Sequence, residues 1–167
     1  MGRADIRVVN AVVLAAAYAA LALALPGISY GPVQVRVADV LSPLPYIMGF
    51  ESVVGLTLGT LIANVFSPYG IWDVTVGSLC TFTYALVDWA LGRQVGYKNW
   101  MLPVIAVVNS VVVGFYIGYL LIGIIAGGGD PVHLFALLIA ESLIPMSIGS
   151  LVLVPIVRKY YGARTAS

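Results

Sequence analysis

Four apolar runs constrain this chain more than anything else in it: about residues 7–25, 71–91, 100–126 and 131–157. Each is long enough to cross a bilayer as a helix, which needs about 20 residues at about 1.5 Å each. Pro26-Gly27 closes the first run and Gly127-Gly128-Gly129 the third. Asp130 offers an N-cap to the last, with Pro131 at its first helical position. The first run exceeds the core of a signal peptide and has no clear cleavage site, so it reads as a retained helix. Of the 167 residues, 61% are hydrophobic and 9% are charged. That is too little polarity to cover a water-facing surface. The expectation is an all-α integral membrane protein, residues 1–167 forming one domain in the lipid bilayer.

The stretch 37–66 reads as one long span or two short ones, and charge decides between them. Basic residues flanking spans favour the cytoplasm. Arg3 and Arg7 precede the first run, Arg93 and Lys98 join the runs at 71–91 and 100–126, and Arg158, Lys159 and Arg164 follow the last. All seven share one side only if the span count is even, leaving Arg36 alone on the other. Two short helices are therefore expected, about 39–49 and 52–66, broken at Gly49-Phe50-Glu51-Ser52. The result is a six-transmembrane-helix bundle with both termini cytoplasmic.

Within the first run, Ala11, Ala15 and Ala19 recur every four residues, with Ala16, Ala20 and Ala24 in a second row. Small residues at this spacing let another helix approach closely. The first row is read as a docking face for another membrane subunit, with packing inside the bundle as the alternative.

The polar residues near the outer side are the candidate site. The loop "ISYGPVQVRVADV" carries Tyr30, Gln34, Arg36 and Asp39, and the last two are spaced to pair on one helical face. Asn64 ends one span; Trp72 and Asp73 open the next after the Ser67–Gly70 turn. They suit either an aromatic belt with a helix-capping acid or a ligand site. Glu141 lies ten residues past Pro131, roughly 15 Å into the membrane. A carboxylate at that depth is costly and marks function unless paired. Pro145 has no N–H to give the Glu141 carbonyl, so one turn offers two acceptors to a donor-rich ligand edge. Tyr116 is at similar depth and Asn109 deeper. Asp88 and Glu51 read as ordinary interfacial charges and His133 as solvated.

Other classes find no support in the residues. There is no P-loop and no Gly-x-Ser-x-Gly elbow. The one histidine has no clustered cysteine or carboxylate, so neither a metal nor another cofactor is expected. The lone Cys80 reads as a small core filler. A net charge of +1 without a basic tail gives nucleic acid no footing.

"SYGPVQVRVADVLSPLP", "GLTLGTLIANVFSPYGIWDVTVGS" and the "AE" at Ala140-Glu141 resemble the QueT-type queuosine-precursor transporters, over about 11–157. These are substrate-binding S components of energy-coupling-factor transporters. The resemblance implies a six-helix component of the cell membrane. A pocket near the outer face would be lidded by the loop after the first span. A transmembrane coupling (T) subunit would dock on the Ala-x-x-x-Ala face, and two ATPases would supply energy. The implied cargo is a 7-deazaguanine, with Glu141 accepting from its guanine-like edge and Trp72 or Tyr30 stacking on its ring. Asp73 or Asp39 would face an aminomethyl cation where one is present; Asn64 and Arg36 would meet the remaining polar edge. Asn109 fits the family pattern. Tyr116 stands where an acid is common, and Asp39 where a glutamate is expected.

Overall fold

A computed structural model describes residues 3–24 and 36–165, and among these it is helical with no strand. Six helical passes follow one another: α1 (Arg3–Ala24), α2 (Val37–Met48), α3 (Phe50–Asn64), α4 (Asp73–Val95), α5 (Met101–Ile125) and α6 (Pro131–Tyr160). Helices α1, α4, α5 and α6 are long and apolar enough to cross a membrane, while α2 and α3 are shorter. The all-helical architecture is that of a membrane protein.

Contacts set the direction of each pass. Gly55 and Gly59 of α3 lie against the backbones of Ala11 and Ala15, so α1 and α3 run parallel. The pass between them, α2, runs the other way: Ala38 packs with Tyr18 and Ala22, and Leu44 with Leu14. Thr60 meets Thr81 and Phe50 meets Trp89, making α4 antiparallel to α3. Gly114 and Gly118 lie on Phe135 and Leu134, making α6 antiparallel to α5. Arg93 over Trp89 and Arg158 over Tyr97 then share one end, hereafter the basic end. There the Tyr46 hydroxyl accepts from Lys98 N–H at 2.8 Å and donates to the Gly96 carbonyl at 2.7 Å, pinning the foot of α2 to the α4–α5 loop.

The short second pass has a local cause. Pro43 and Pro45 lack the N–H groups a regular helix needs, so Val37–Leu41 forms a 3₁₀ turn and only Pro45–Met48 is α-helical. Gly49, at φ 108°, then reverses the chain into α3 where a residue with a Cβ would be strained. The Asp130 cap appears as expected, its carboxylate accepting from His133 N–H at 2.8 Å. Pro145 sits inside α6 without ending it, and the next turn, Gly149–Leu153, opens to wide π-helical geometry. That turn carries Gly149, against which the Val40 carbonyl lies.

The alanine rows resolve against the first expectation. Ala15 and Ala19 are buried, and a Cβ on Gly59 would meet Ala15 O at 2.7 Å and Tyr18 Cβ at 2.9 Å. Ala11, half-buried, takes the same part at Gly55. This row is the seam between α1 and α3, because only alanine facing glycine lets two backbones come so close. Ala16, Ala20 and Ala24 are the exposed row.

Gly59→Val is expected to push α1 from α3 and cost about 1–3 kcal/mol. A clear drop in the thermal unfolding midpoint in detergent checks this, with Ala16→Val, on the exposed row, as the control that should stay near wild type.

Candidate functional site

Arg36, Asp39, Asn64, Asp73 and Glu141, all buried, gather in the half of the bundle away from the basic end. Asp73 opens α4 and is 1% exposed, and Gly77, Cys80, Thr81, Tyr84 and Asp88 follow on the same helical face. That periodicity aims α4's polar stripe at the bundle axis. Trp72 is one residue and about 100° away, so it points outward and is 54% exposed. The expected stacking role of Trp72 therefore has no place in this geometry.

Arg36 precedes α2 and reaches across to Asp73, Nη2 to Oδ2 at 3.1 Å, in a buried ion pair. Arg36 thus reaches a carboxylate on another helix as well as lying near Asp39, three residues on. Asp39 accepts from the Tyr18 phenol of α1 at 2.7 Å. Asn64 closes α3 and donates its amide to the Asp73 carbonyl at 2.9 Å, while its own side-chain oxygen is buried with no partner. Gly77 is required here: a Cβ would collide with Asn64 Nδ2 and come within 2.6 Å of Asp73 Oδ1. The first turn of α4 is π-helical, a geometry that recurs at functional sites.

Of these groups Tyr18, Arg36, Asp39 and Gly77 line a cavity, with Tyr84, Ile117 and Leu138 among its other walls, drawn from α1, α2, α4, α5 and α6. It holds about 330 Å³ of non-atom space, solvent at the mouth included. Beneath it the hydroxyls link up. Ser42 donates to Tyr84 at 2.9 Å, Tyr84 to Thr81 at 3.3 Å, and Thr81 lies 3.0 Å from Thr60. One wall and the floor are therefore polar but neutral, and the charges cluster at the side formed by Arg36, Asp39 and Asp73.

The remaining candidates divide. Glu141 is buried on α6, one turn beyond the cavity-lining Leu138 and on the same face. Tyr116 is half-buried, lies beside α4 rather than on the cavity, and accepts from Thr83 at 3.3 Å. Asn109 also leaves the site, donating to Asp88 Oδ2 at 2.7 Å toward the basic end. The interfacial reading of Asp88 is corrected: it is fully buried, about four turns along the same stripe that buries Asp73. Tyr30 and Gln34 lie outside the described residues. No group of His, Cys, Asp and Glu that could hold a metal ion occurs among the described residues.

The cavity also uses residues that the reading of the chain passed over. Tyr18 was visible as the one residue with a polar tip in "AAAYAA"; Tyr84 and Thr81 were visible as members of the Asp73 stripe. Ser42 gives no such signal, because its 3₁₀ setting has no helical period.

A sequence profile described as "QueT transporter" matches residues 8–159, nearly the whole chain. The protein belongs to the QueT transporter family. Membership makes it a membrane transporter. No curated protein and no solved structure matches it.

Arg36→Gln strands the Asp73 carboxylate and is expected to cost about 3–5 kcal/mol. Combining it with Asp73→Asn should recover most of that loss. Thermal unfolding of the two single variants and the double variant tests the coupling, and simple additivity of the two losses would refute it.

Proposed function

We propose that the chain is the substrate-binding S component of an energy-coupling-factor uptake transporter, and that its cargo is a queuosine precursor of the 7-deazaguanine type. The observation that carries this reading is the buried Arg36–Asp73–Asp39 cluster around a cavity, in a member of the QueT family, at the end opposite the basic loops. Positive flanks face the cytoplasm. The six passes then become six membrane spans with both termini cytoplasmic, and the cavity lies toward the outer face of the cell membrane. A solute would enter there.

In this reading Glu141 accepts two N–H groups from the guanine-like edge. Carboxylate acceptors give strong, charge-assisted bonds in a site away from water. Asn64, with its unpaired oxygen, and Arg36 address the remaining polar edge. The chain has no P-loop of its own, so a T subunit and two ATPases provide the energy. The T subunit docks on α1 through the outward row Ala16, Ala20 and Ala24, since Ala15 and Ala19 are spent on α3. Replacing Ala20 by Leu is expected to abolish co-purification with the T subunit and spare ligand binding; survival of the complex would move the docking face elsewhere.

Titration of the purified chain in detergent, followed by tryptophan fluorescence, tests the cargo. Saturable binding is expected for 7-deazaguanines and not for riboflavin, biotin or thiamine. Glu141→Gln should weaken it about tenfold or more, the scale of a lost charge-assisted pair, with an unchanged unfolding midpoint. Binding of a different vitamin only would keep the architecture and change the cargo. A folded chain that binds none of them would be a structural subunit.

A further inference from the structure

The basic end carries positive charge that the chain does not neutralise. Arg93, Lys98, Arg158 and Lys159 are all exposed there. Among the described residues none of the four is in an ion pair. Asp5, Glu51 and Asp88 belong to the same end, yet none lies within ion-pair distance of these cations, and Asp88 is buried beside Asn109.

One part of this surface is built rather than scattered. The Arg158 guanidinium lies 3.7 Å over the Tyr97 ring. Tyr97 packs beside Tyr46, with ring centroids 5.9 Å apart. The Tyr46 hydroxyl grips the chain on both sides of Tyr97, donating to the Gly96 carbonyl and accepting from the Lys98 N–H. The end of α6, the foot of α2 and the α4–α5 loop are thereby locked together. They fix Arg158 against the loop that carries Lys98. Stacking occupies the face of a guanidinium and leaves its N–H rim to donate to an acceptor. Two cations on adjoining segments, with no carboxylate between them, suit an anion with several oxygens.

The surroundings choose the source of that anion. Trp100, two residues past Lys98, is 63% exposed, and Tyr160, two past Arg158, is 70% exposed. Large aromatics uncovered beside Lys and Arg belong at the level of lipid headgroups. Exposed apolar side chains continue from them toward the middle of the bundle: Val104 and Val107 on α5, Val152 and Ile156 on α6. A soluble anion would use the cations alone. A phospholipid uses both, its phosphate on the cations and its acyl chains along the apolar surface.

We propose that the basic end holds an anionic phospholipid of the leaflet it meets, with the headgroup phosphate at Arg158 and Lys98 and Trp100 beside it. A lipid with net negative charge is favoured there. A zwitterionic one brings its own ammonium to the same cations and is not.

Tryptophan quenching by lipids with brominated acyl chains tests this in vesicles of phosphatidylcholine. The chain has three tryptophans, and replacing Trp72 and Trp89 by Phe leaves Trp100 as the reporter. Where that variant does not fold, the difference between wild type and Trp100→Phe isolates the same signal. Brominated phosphatidylglycerol is expected to associate about fivefold or more tightly at Trp100 than brominated phosphatidylcholine, the scale of one cation near an anionic headgroup. Arg158→Gln and Lys98→Gln should each remove most of that preference. Arg7→Gln and Arg93→Gln remove the same charge elsewhere at this end and should leave it. All four side chains are exposed, and an unchanged unfolding midpoint verifies that each variant folds. Equal quenching of wild type by the two lipids would overturn the proposal. An equal loss in all four variants would overturn the site in favour of a diffuse field of charge. Displacement of phosphatidylglycerol by inorganic phosphate would overturn the lipid as its occupant.

Discussion

The Arg36–Asp73 pair is the contact on which the polar half of this bundle depends. It joins the start of α2 to the start of α4 across the mouth of the cavity. Arg36 is brought there by a 3₁₀ turn that two prolines keep from becoming a regular helix. Asp73 is brought there by a π-helical first turn with room for Asn64 only because residue 77 is glycine. Neither charge would be tolerated alone at such burial. Each local irregularity of backbone therefore has a partner in the other, and the cavity lies where they meet.

The apolar part of the structure makes this possible by being rigid nearby. Helices α1 and α3 approach until Ala15 and Tyr18 lie directly on Gly59. In a membrane the drive for such contact is close packing, since lipid is as apolar as the side chains. The seam fixes Tyr18, whose phenol in turn fixes Asp39. An alanine ridge that looks like a surface for a partner is thus spent inside, in positioning one carboxylate. The outward row, Ala16, Ala20 and Ala24, keeps the same spacing and remains uncovered.

Much of this was legible in the residues. The long helices followed from the length of their apolar runs, and the two short passes from the distribution of Arg and Lys. Arg36, Asp39, Asn64 and Asp73 were chosen as polar groups set among apolar ones, and the structure brings them together. What failed has one physical source: helical phase. Trp72 and Asp73 were taken as a pair, yet neighbours in a helix face different ways. Ala15 and Ala16 pose the same ambiguity, and only the glycines of α3 settle which row turns inward. Asp88 reads as an ordinary interfacial charge, yet its phase from Asp73 puts it on the axis. Ser42 and the Arg36–Asp73 reach could not be read, because they depend on where an irregular turn aims its side chains.

Asp88 shows what a buried carboxylate does away from the cavity. It lies fifteen residues beyond Asp73, about 22 Å along α4. Its partner is Asn109 at 2.7 Å, yet one oxygen of each side chain is buried without a partner. Such a pair cannot be held for its strength alone, since leaving acceptors unmet is costly. It does give α4 and α5 a unique register, which their apolar faces would specify weakly. Helix α4 thus carries two polar stations that differ in access. The one at Asp73 holds Arg36, which lines the cavity. The one at Asp88 is fully buried and meets Asn109 of α5, so it fixes how the two helices sit against each other.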